Sequence, residues 1–489
     1  MSVRLSLAWT YLAQALNFVI AFGSSIVVAR LVSPRDFGIF GMAVAITTIL
    51  NVFMQLGLAK YIVREAKADT EMLRSLFTIN AILTLGYIIT ILLGAFAAFK
   101  LFNSPEVGRF LTVFALFPLI AMFEFVPSAL AVREMRFGLT ASMSVLRTLI
   151  LTMTTVGLAI SGFAYMSFAW AAVAASLATT IAFNIACFRP DVWKPRFAGS
   201  RTILVFGSEM IGIGGLNQLT SRFGEMALGS VLGLASLGLY TRASNLPITL
   251  YASIYGAGSN VIFSRLSREL RETGVFAVTY LRFMRLTLGL LWPVMVGLAV
   301  LAQPLVNLLY GAKWQDAAVP LSLLMLAFAV TISIGMTAEV FVLRHETRRQ
   351  LKIESIRSAA GLLLFVGGAL ISLPAAAAAK LIESIVAFLM YRRPMNRLIG
   401  GPPDRLRAVY KEGLVLGGVA VMPSLALMMW SDWSPATPLA AVLVAVVLGI
   451  CAWAAMIIKM GHPLAIEGFR ALSLALDRIR KMPRNGTVR

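Results

Sequence analysis

Apolar residues run along this chain in stretches of about twenty or more, the length a helix needs to cross a bilayer core, and polar residues collect between them. Fourteen such windows stand out, at roughly 7–29, 37–59, 75–99, 110–132, 140–161, 163–188, 203–231, 236–262, 284–309, 318–343, 353–373, 375–392, 413–430 and 436–458. Several are separated by little more than a turn, as at Ser161-Gly162 and Ser372-Leu373-Pro374, which predicts helix hairpins. The pattern therefore predicts an all-α polytopic membrane protein with about 14 transmembrane helices. The first window is too long for the core of a signal peptide and reads as an uncleaved span. Beyond Gly461 the pattern changes. Ala465, Phe469, Leu472, Leu476 and Ile479 form a helical stripe with Arg470, Asp477, Arg478 and Arg480 off it, as in a helix lying on the inner interface.

The pattern also repeats at an offset of 200 residues: Asn17 matches Asn217, Gly38 matches Gly238, and LVSPRDFGIF (31–40) reads beside VLGLASLGLY (231–240). Six windows separate the copies, and an even number preserves orientation. The expected organisation is two parallel six-helix lobes, 1–200 and 201–400, then two extra helices in 401–460 and a cytoplasmic amphipathic tail over 461–489.

Composition agrees: 59% of the 489 residues are hydrophobic, 13% are charged and mean hydropathy is +0.84, far from a soluble globular mix. The net charge of +21 would suggest nucleic acid, but its placement gives another reason. The N-terminus and alternate loops hold 34 of the 43 Lys and Arg, whereas Arg30, Arg35, Lys100, Arg109 and Lys313 are the five on the opposite side. That asymmetry places both termini in the cytoplasm and removes the case for a nucleic-acid partner. Cys187 and Cys451 lie in apolar windows without ligand spacing, so neither a disulfide framework nor a metal site is implied.

Four cations, Arg147, Arg222, Arg242 and Lys380, remain inside the windows. Intramembrane charge is costly and usually faces a water-filled cavity. The stretch from Val205 to Pro247 carries two of them with Glu209 and Glu225. At about 100° per residue, Asn217, Gln218, Ser221, Arg222 and Glu225 share one helix face. Arg222 sits near mid-membrane, where it either meets an anionic or polar substrate or pairs with Glu225 at i+3. Arg147 has no acidic partner one turn away and either lines a site or snorkels. Arg242 reads as a gate or cavity-mouth residue, and Lys380 has Glu383 as a local partner. Glu124 and Glu339 lack basic neighbours on their own helices, so they are the better candidates, with Glu225 and Glu383 behind them, for coupling to H+ or Na+. On span one, Thr10, Gln14, Asn17 and Ser24 share a face that is either cavity lining or polar glue between helices. No catalytic constellation stands out. His345 and His462 fall in or beside cytoplasmic segments, and GIGGLN (212–217) lies inside a span, not at a phosphate-binding turn. The chain is expected to be no enzyme and to carry no cofactor.

Four segments resemble one family: ARLVSPRDFG (29–38), ALAVREMRF (129–137), LGLYTRASNLP (237–247) and LVNLLYGAKWQDAAVPLSLLMLA (305–327). They are similar to the Wzx-type polysaccharide exporters, close to the WzxC and xanthan-type flippases, within the multidrug/oligosaccharidyl-lipid/polysaccharide (MOP) superfamily. The resemblance implies a two-lobed, MATE-like carrier of twelve plus two helices that works by alternating access. Its substrate would be an undecaprenyl-diphosphate-linked oligosaccharide, held in a cationic cavity and destined for exopolysaccharide or O-antigen. Arg222 and Arg242 lie where such exporters would place positive charge, with Arg147 completing the set around the head group. Besides the lipid bilayer, a polysaccharide polymerase and export machinery are expected as partners. Two other classes stay open: a drug or cation antiporter of the MATE type, and a membrane-bound polysaccharide polymerase or ligase. The second would be expected to carry a sizeable outer loop, and the outer connections here are short.

Overall fold

A computed structural model of the chain describes residues 3–52, 58, 61–62, 69–100, 104–187, 189–197, 215–400 and 403–465. Among the described residues all regular structure is helical. The apolar windows fold this way because a helix satisfies every backbone polar group within its own segment, as a lipid surround requires.

The helices are α1 (Val3–Leu31), α2 (Pro34–Val52), α3 (Thr70–Lys100), α4 (Pro105–Phe114), α5 (Leu116–Ala121), α6 (Phe125–Arg133), α7 (Phe137–Ile160), α8 (Met166–Ala186) and α9 (Gly215–Val231). There follow α10 (Leu234–Thr273), α11 (Ala277–Val300), α12 (Ala302–Tyr310), α13 (Ala318–Ile332), α14 (Thr337–Leu343), α15 (Thr347–Ala369), α16 (Leu373–Ile399), α17 (Pro403–Trp430) and α18 (Leu439–Lys459).

Among the described residues, nine helical segments are long and apolar enough to cross a membrane, or ten if the pair Pro105–Ala121 and Phe125–Arg133, bent by 48°, is one span. This is a multi-pass membrane protein, but the expected fourteen is not reached. Windows two and seven run into residues outside the description. Windows eight and eleven are helical, as α10 and α15; Glu354 and Arg357 fall inside window eleven, with Arg348, Arg349 and Lys352 in the turn of α15 before it, whereas window eight carries one charge, Arg242, among many uncharged polar and small residues. The tail stripe from Phe469 to Ile479 and Glu209 also lie outside the described residues.

The chain forms two compact units, residues 1–241 with 369–372 and residues 242–368 with 373–489. In the first, the inner faces of α3, α4, α6 and α8 bury Leu73, Leu76, Ile91, Phe110, Leu111, Val126, Leu130 and Ala169. In the second, α11, α13, α16 and α17 bury Met284, Leu291, Met325, Ala376 and Leu416.

The backbone repeats itself. In the first unit Phe123, Glu124 and Phe125 donate successively to Ile120, Ala121 and Met122 at 3.2, 3.0 and 3.4 Å, a tightened 3₁₀ turn that breaks the helix. At an offset of 210, Ser333, Ile334 and Gly335 donate to Val330, Thr331 and Ile332 at 3.0, 3.2 and 3.1 Å. At the same offset, Met135 and His345 take positive φ, 54° and 56°, just before α7 and α15. Each unit thus carries an interrupted span followed by the same helix stop.

Candidate functional site

The interruption in the first unit builds a polar site. Glu124 lies in that turn, at the start of α6, and α7 and α8 bring Arg147, Thr179 and Thr180 to it. Arg147 Nη2 donates to Glu124 Oε1 at 2.8 Å and Oε2 at 2.6 Å and lies 3.0 Å from Thr179 Oγ1. Thr179 Oγ1 is 2.8 Å from Glu124 Oε2, and Thr180 Oγ1 is 3.5 Å from it. Among the described residues Nη1 and Nε of Arg147 make no hydrogen bond, so most of the guanidinium's donors are left over.

Arg147 lines a cavity of about 300 Å³ with Glu124, Asn51, Asn80, Thr84, Tyr87 and Ser128, and with the apolar Leu83, Phe117, Met122 and Phe125. The Arg147 side chain is 38% exposed and that of Glu124 14%, so the cation is the member of the pair that a ligand would reach. The Tyr87 hydroxyl donates to Thr47 O at 2.9 Å, which fixes that ring at the cavity wall.

Glu124 has no basic neighbour on its own helix and Arg147 no acid one turn away, as the sequence shows; they answer each other across helices, 23 residues apart, where periodicity along one helix shows nothing. Thr179 and Thr180 were missed, although two adjacent hydroxyls in an apolar window were a visible signal.

The remaining candidates are dispersed. Arg222 pairs with Glu225 on α9 at 2.6 Å, the i+3 alternative. Gln218, Ser221 and Gln14 are exposed, and the side chains of Asn217 and Thr10 lie outside the description. Asn17 donates to Ser144 Oγ at 2.8 Å, joining α1 to α7 as polar glue.

Arg242 is 4% exposed, with its guanidinium 4.0 Å from the Tyr310 ring centre and 5.9 Å from that of Trp314. It offers no surface to a ligand, which corrects its reading as a cavity-mouth residue. Cation–π contact holds the motif LGLYTRASNLP to the motif LLYGAKW.

Lys380 and Glu383 pair at 2.7 Å, and Glu383 also takes Arg357 Nη1 at 2.6 Å. Glu354, bonded to Arg357 and to the Tyr391 hydroxyl, completes a network that the local i+3 reading only began. Glu339 stands apart from these pairs. Among the described residues no group of three His, Cys, Asp or Glu is placed to hold a metal ion.

Residues 27–319 match the Polysacc_synt_3 family, described as polysaccharide biosynthesis protein. The chain belongs to this family. That agrees with the resemblance to Wzx-type exporters carried by the four sequence segments. Among curated proteins, the chain is 24% identical to the succinoglycan biosynthesis transport protein ExoT of Rhizobium meliloti (strain 1021), over 67% of this chain and 66% of that one. It is 19% identical to the lipopolysaccharide biosynthesis protein WzxC of Escherichia coli (strain K12), over 67% of each. The chain thus spans about two thirds of the length of the curated relatives it matches.

The fold is that of the MOP superfamily. The lipid II flippase MurJ in an inward closed conformation superposes with a TM-score of 0.69 at 15% identity, covering 92% of this chain and 97% of that one. An inward-facing multidrug resistance MATE transporter gives 0.60 at 18% identity, covering 78% and 95%. These two solved structures are a flippase and a transporter.

Proposed function

We propose that this protein is a flippase that carries undecaprenyl-diphosphate-linked oligosaccharide repeat units from the inner to the outer leaflet of the bacterial inner membrane, by alternating access, for exopolysaccharide or O-antigen synthesis. One observation carries the reading: inside otherwise apolar helices, the first unit holds a cavity walled by neutral amides and hydroxyls with one oriented guanidinium. Amides, hydroxyls and aromatic rims suit sugar rings, and a guanidinium held by Glu124 and Thr179 suits a phosphate or another single anionic group. The polyprenyl tail stays in lipid.

Family membership, the transport role in ExoT's name and the MurJ-like fold all support this. The charge asymmetry supports cytoplasmic termini. Export would be driven by exchange for H+ or Na+, with a polymerase and export machinery taking the product onward. A strain lacking the gene should hold lipid-linked repeat units in the inner leaflet; undiminished delivery to the outer leaflet would contradict the proposal.

The fold shared with MATE transporters favours a second reading, drug or cation antiport. Cationic substrates need an unneutralised acidic cavity, whereas Glu124, the acid lining this cavity among the described residues, holds Arg147 at 2.6 Å. Altered drug resistance on deletion, with normal polysaccharide, would favour that reading instead.

A further inference from the structure

Each unit interrupts a span, and a broken helix leaves backbone groups that lipid cannot satisfy. In the first unit α8 supplies the donors. Asn184 Nδ2 donates to Phe123 O at 3.1 Å, the carbonyl whose helical donor Pro127 removes, and Thr180 Oγ1 donates to Ile120 O at 3.4 Å. Both donors are shared: the Asn184 amide also reaches Thr180 O at 2.8 Å, and Thr180 Oγ1 lies 3.5 Å from Glu124 Oε2.

The second unit has no such donor on the corresponding helix. At the offset of 210, Asn184 corresponds to Pro394 of α16, which has no hydrogen to donate. Four aromatic side chains from α10, α11 and α17 take over. The Tyr410 hydroxyl of α17 donates at 2.9 Å to Ser333 O, the counterpart of Phe123 O, and the Tyr280 hydroxyl of α11 donates to Gly335 O at 3.1 Å. The Tyr255 hydroxyl of α10 accepts the Met336 N–H at 2.5 Å, where Met336 turns left-handed with φ 59°. Because the Ser333 N–H turns to Val330 O, Ala329 O is open to Trp292 Nε1 of α11, which donates at 2.7 Å.

α11 is in turn held by the two helices that lie outside the repeat. Pro293 removes the helical donor of Gly289 O, and Trp453 Nε1 of α18 donates there at 2.8 Å. One turn earlier, Arg285 holds Glu412 of α17 through Nε and Nη2, each at 2.7 Å. Trp292 stacks on Tyr410 with ring centres 6.5 Å apart.

The two interruptions therefore differ in what surrounds them. Ile332, Ser333, Gly335 and Met336 are buried, whereas residues 121–125 are half-buried, and Ala121, Met122, Glu124 and Phe125 line the cavity.

We propose that α17 and α18 are a brace that fixes the second unit's interruption through Tyr410 and Trp453, leaving the interruption at the cavity as the one that flexes. Enclosed, firmly bonded backbone opens rarely; half-open backbone with long, shared hydrogen bonds opens often. Glu124 sits in the flexing turn and holds Arg147, so the wall of the cavity moves with that turn. That this motion serves transport rests on the flippase reading; the brace does not.

Hydrogen–deuterium exchange of the purified full-length protein in nanodiscs, read by peptide mass spectrometry, tests this without any substrate. In the wild type, residues 121–126 should exchange faster than 332–337. Tyr410→Phe keeps the ring and removes one donor, so exchange over 332–337 should rise about tenfold, the scale of one buried hydrogen bond, with 121–126 unchanged. Asn184→Ala should do the reverse. Where Tyr410→Phe does not fold, Trp453→Phe puts the same question and should raise exchange around Gly289 and over 332–337. Exchange over 332–337 that stays at the wild-type rate, or that rises equally in both interruptions, would overturn the brace. A wild-type second interruption exchanging as fast as the first would overturn the assignment of flexing. Each failure leaves the flippase reading standing, and a braced protein that delivers no repeat units would leave the brace standing without it.

Discussion

Gly38 and Gly238 meet where α2 crosses the start of α10, and each fills with the other helix's backbone the space its own side chain would need. A β-carbon on Gly38 would lie 1.6 Å from Leu234 O, and one on Gly238 would lie 1.8 Å from Pro34 O and 2.8 Å from Gly38 N. The contact is reciprocal, each glycine facing the residue four before its counterpart. Helices can approach this closely only where small residues expose the backbone. Gly38→Ala or Gly238→Ala should each destabilise the protein by about 1–3 kcal/mol through forced separation of the helices. The double variant should lose less than the sum, because one separation serves both. Thermal unfolding in detergent checks this; wild-type melting of either single variant would contradict it.

Arg147 and Glu124 should behave as a unit. A double-mutant cycle with Arg147→Ala and Glu124→Ala should give a coupling of about 1–2 kcal/mol, above an exposed pair because the acid is enclosed and below a fully buried one because the cation is partly open. Independent, additive losses would show that the pair does not hold the cavity wall.

Arg222 is tied to Glu225 on its own helix, so its worth lies in whether charge alone suffices. Arg222→Ala should abolish export while Arg222→Lys keeps part of it. Wild-type export by both would reduce Arg222 to a structural partner.

Gly361 makes room for the network around Glu383: a β-carbon there would stand 2.5 Å from Glu383 Cδ. Gly361→Ala should push the carboxylate from between Arg357 and Lys380 and cost about 1–3 kcal/mol. The shorter side chain of Glu383→Asp should restore part of that melting temperature in the double variant, and no restoration would mean the clash lies elsewhere.

His462, just beyond α18, is 1% exposed, and its Nδ1 accepts the Leu464 N–H at 3.3 Å. Burial, then the charge of Arg285, push its pKa below the ordinary 6.5, with Glu412 opposing. The unfolded chain therefore binds the proton more readily than the folded one. Stability from this group is complete above about pH 6.5 and is lost as pH falls through the depressed folded value. Melting temperature should drop on that acid side in the wild type and drop less in His462→Gln; identical acid limbs would contradict it.

Much of the fold was legible because lipid imposes one rule on every span, and twenty apolar residues announce it. Arg222 with Glu225 and Lys380 with Glu383 were legible too, since partners three apart on one helix need no tertiary knowledge. Arg147 with Glu124, Arg357 with Glu383 and Arg242 with Tyr310 were not, because each joins two elements whose packing no periodicity encodes. The interruptions at 123–125 and 333–335 were hidden as well: window hydropathy averages over them, and neither begins at a proline. Fourteen spans are not confirmed among the described residues, because two windows run outside them, α15 mixes charge into its apolar run and α10 mixes serine, asparagine and glycine into its own.

Delivery of repeat units to the outer leaflet, measured in a strain lacking the gene and complemented with the wild type or with Arg147→Ala, tests the central claim most directly. The wild type should restore delivery, and Arg147→Ala, present in the membrane at wild-type amount, should not. Delivery that persists without the gene would contradict the assignment of this protein as the flippase.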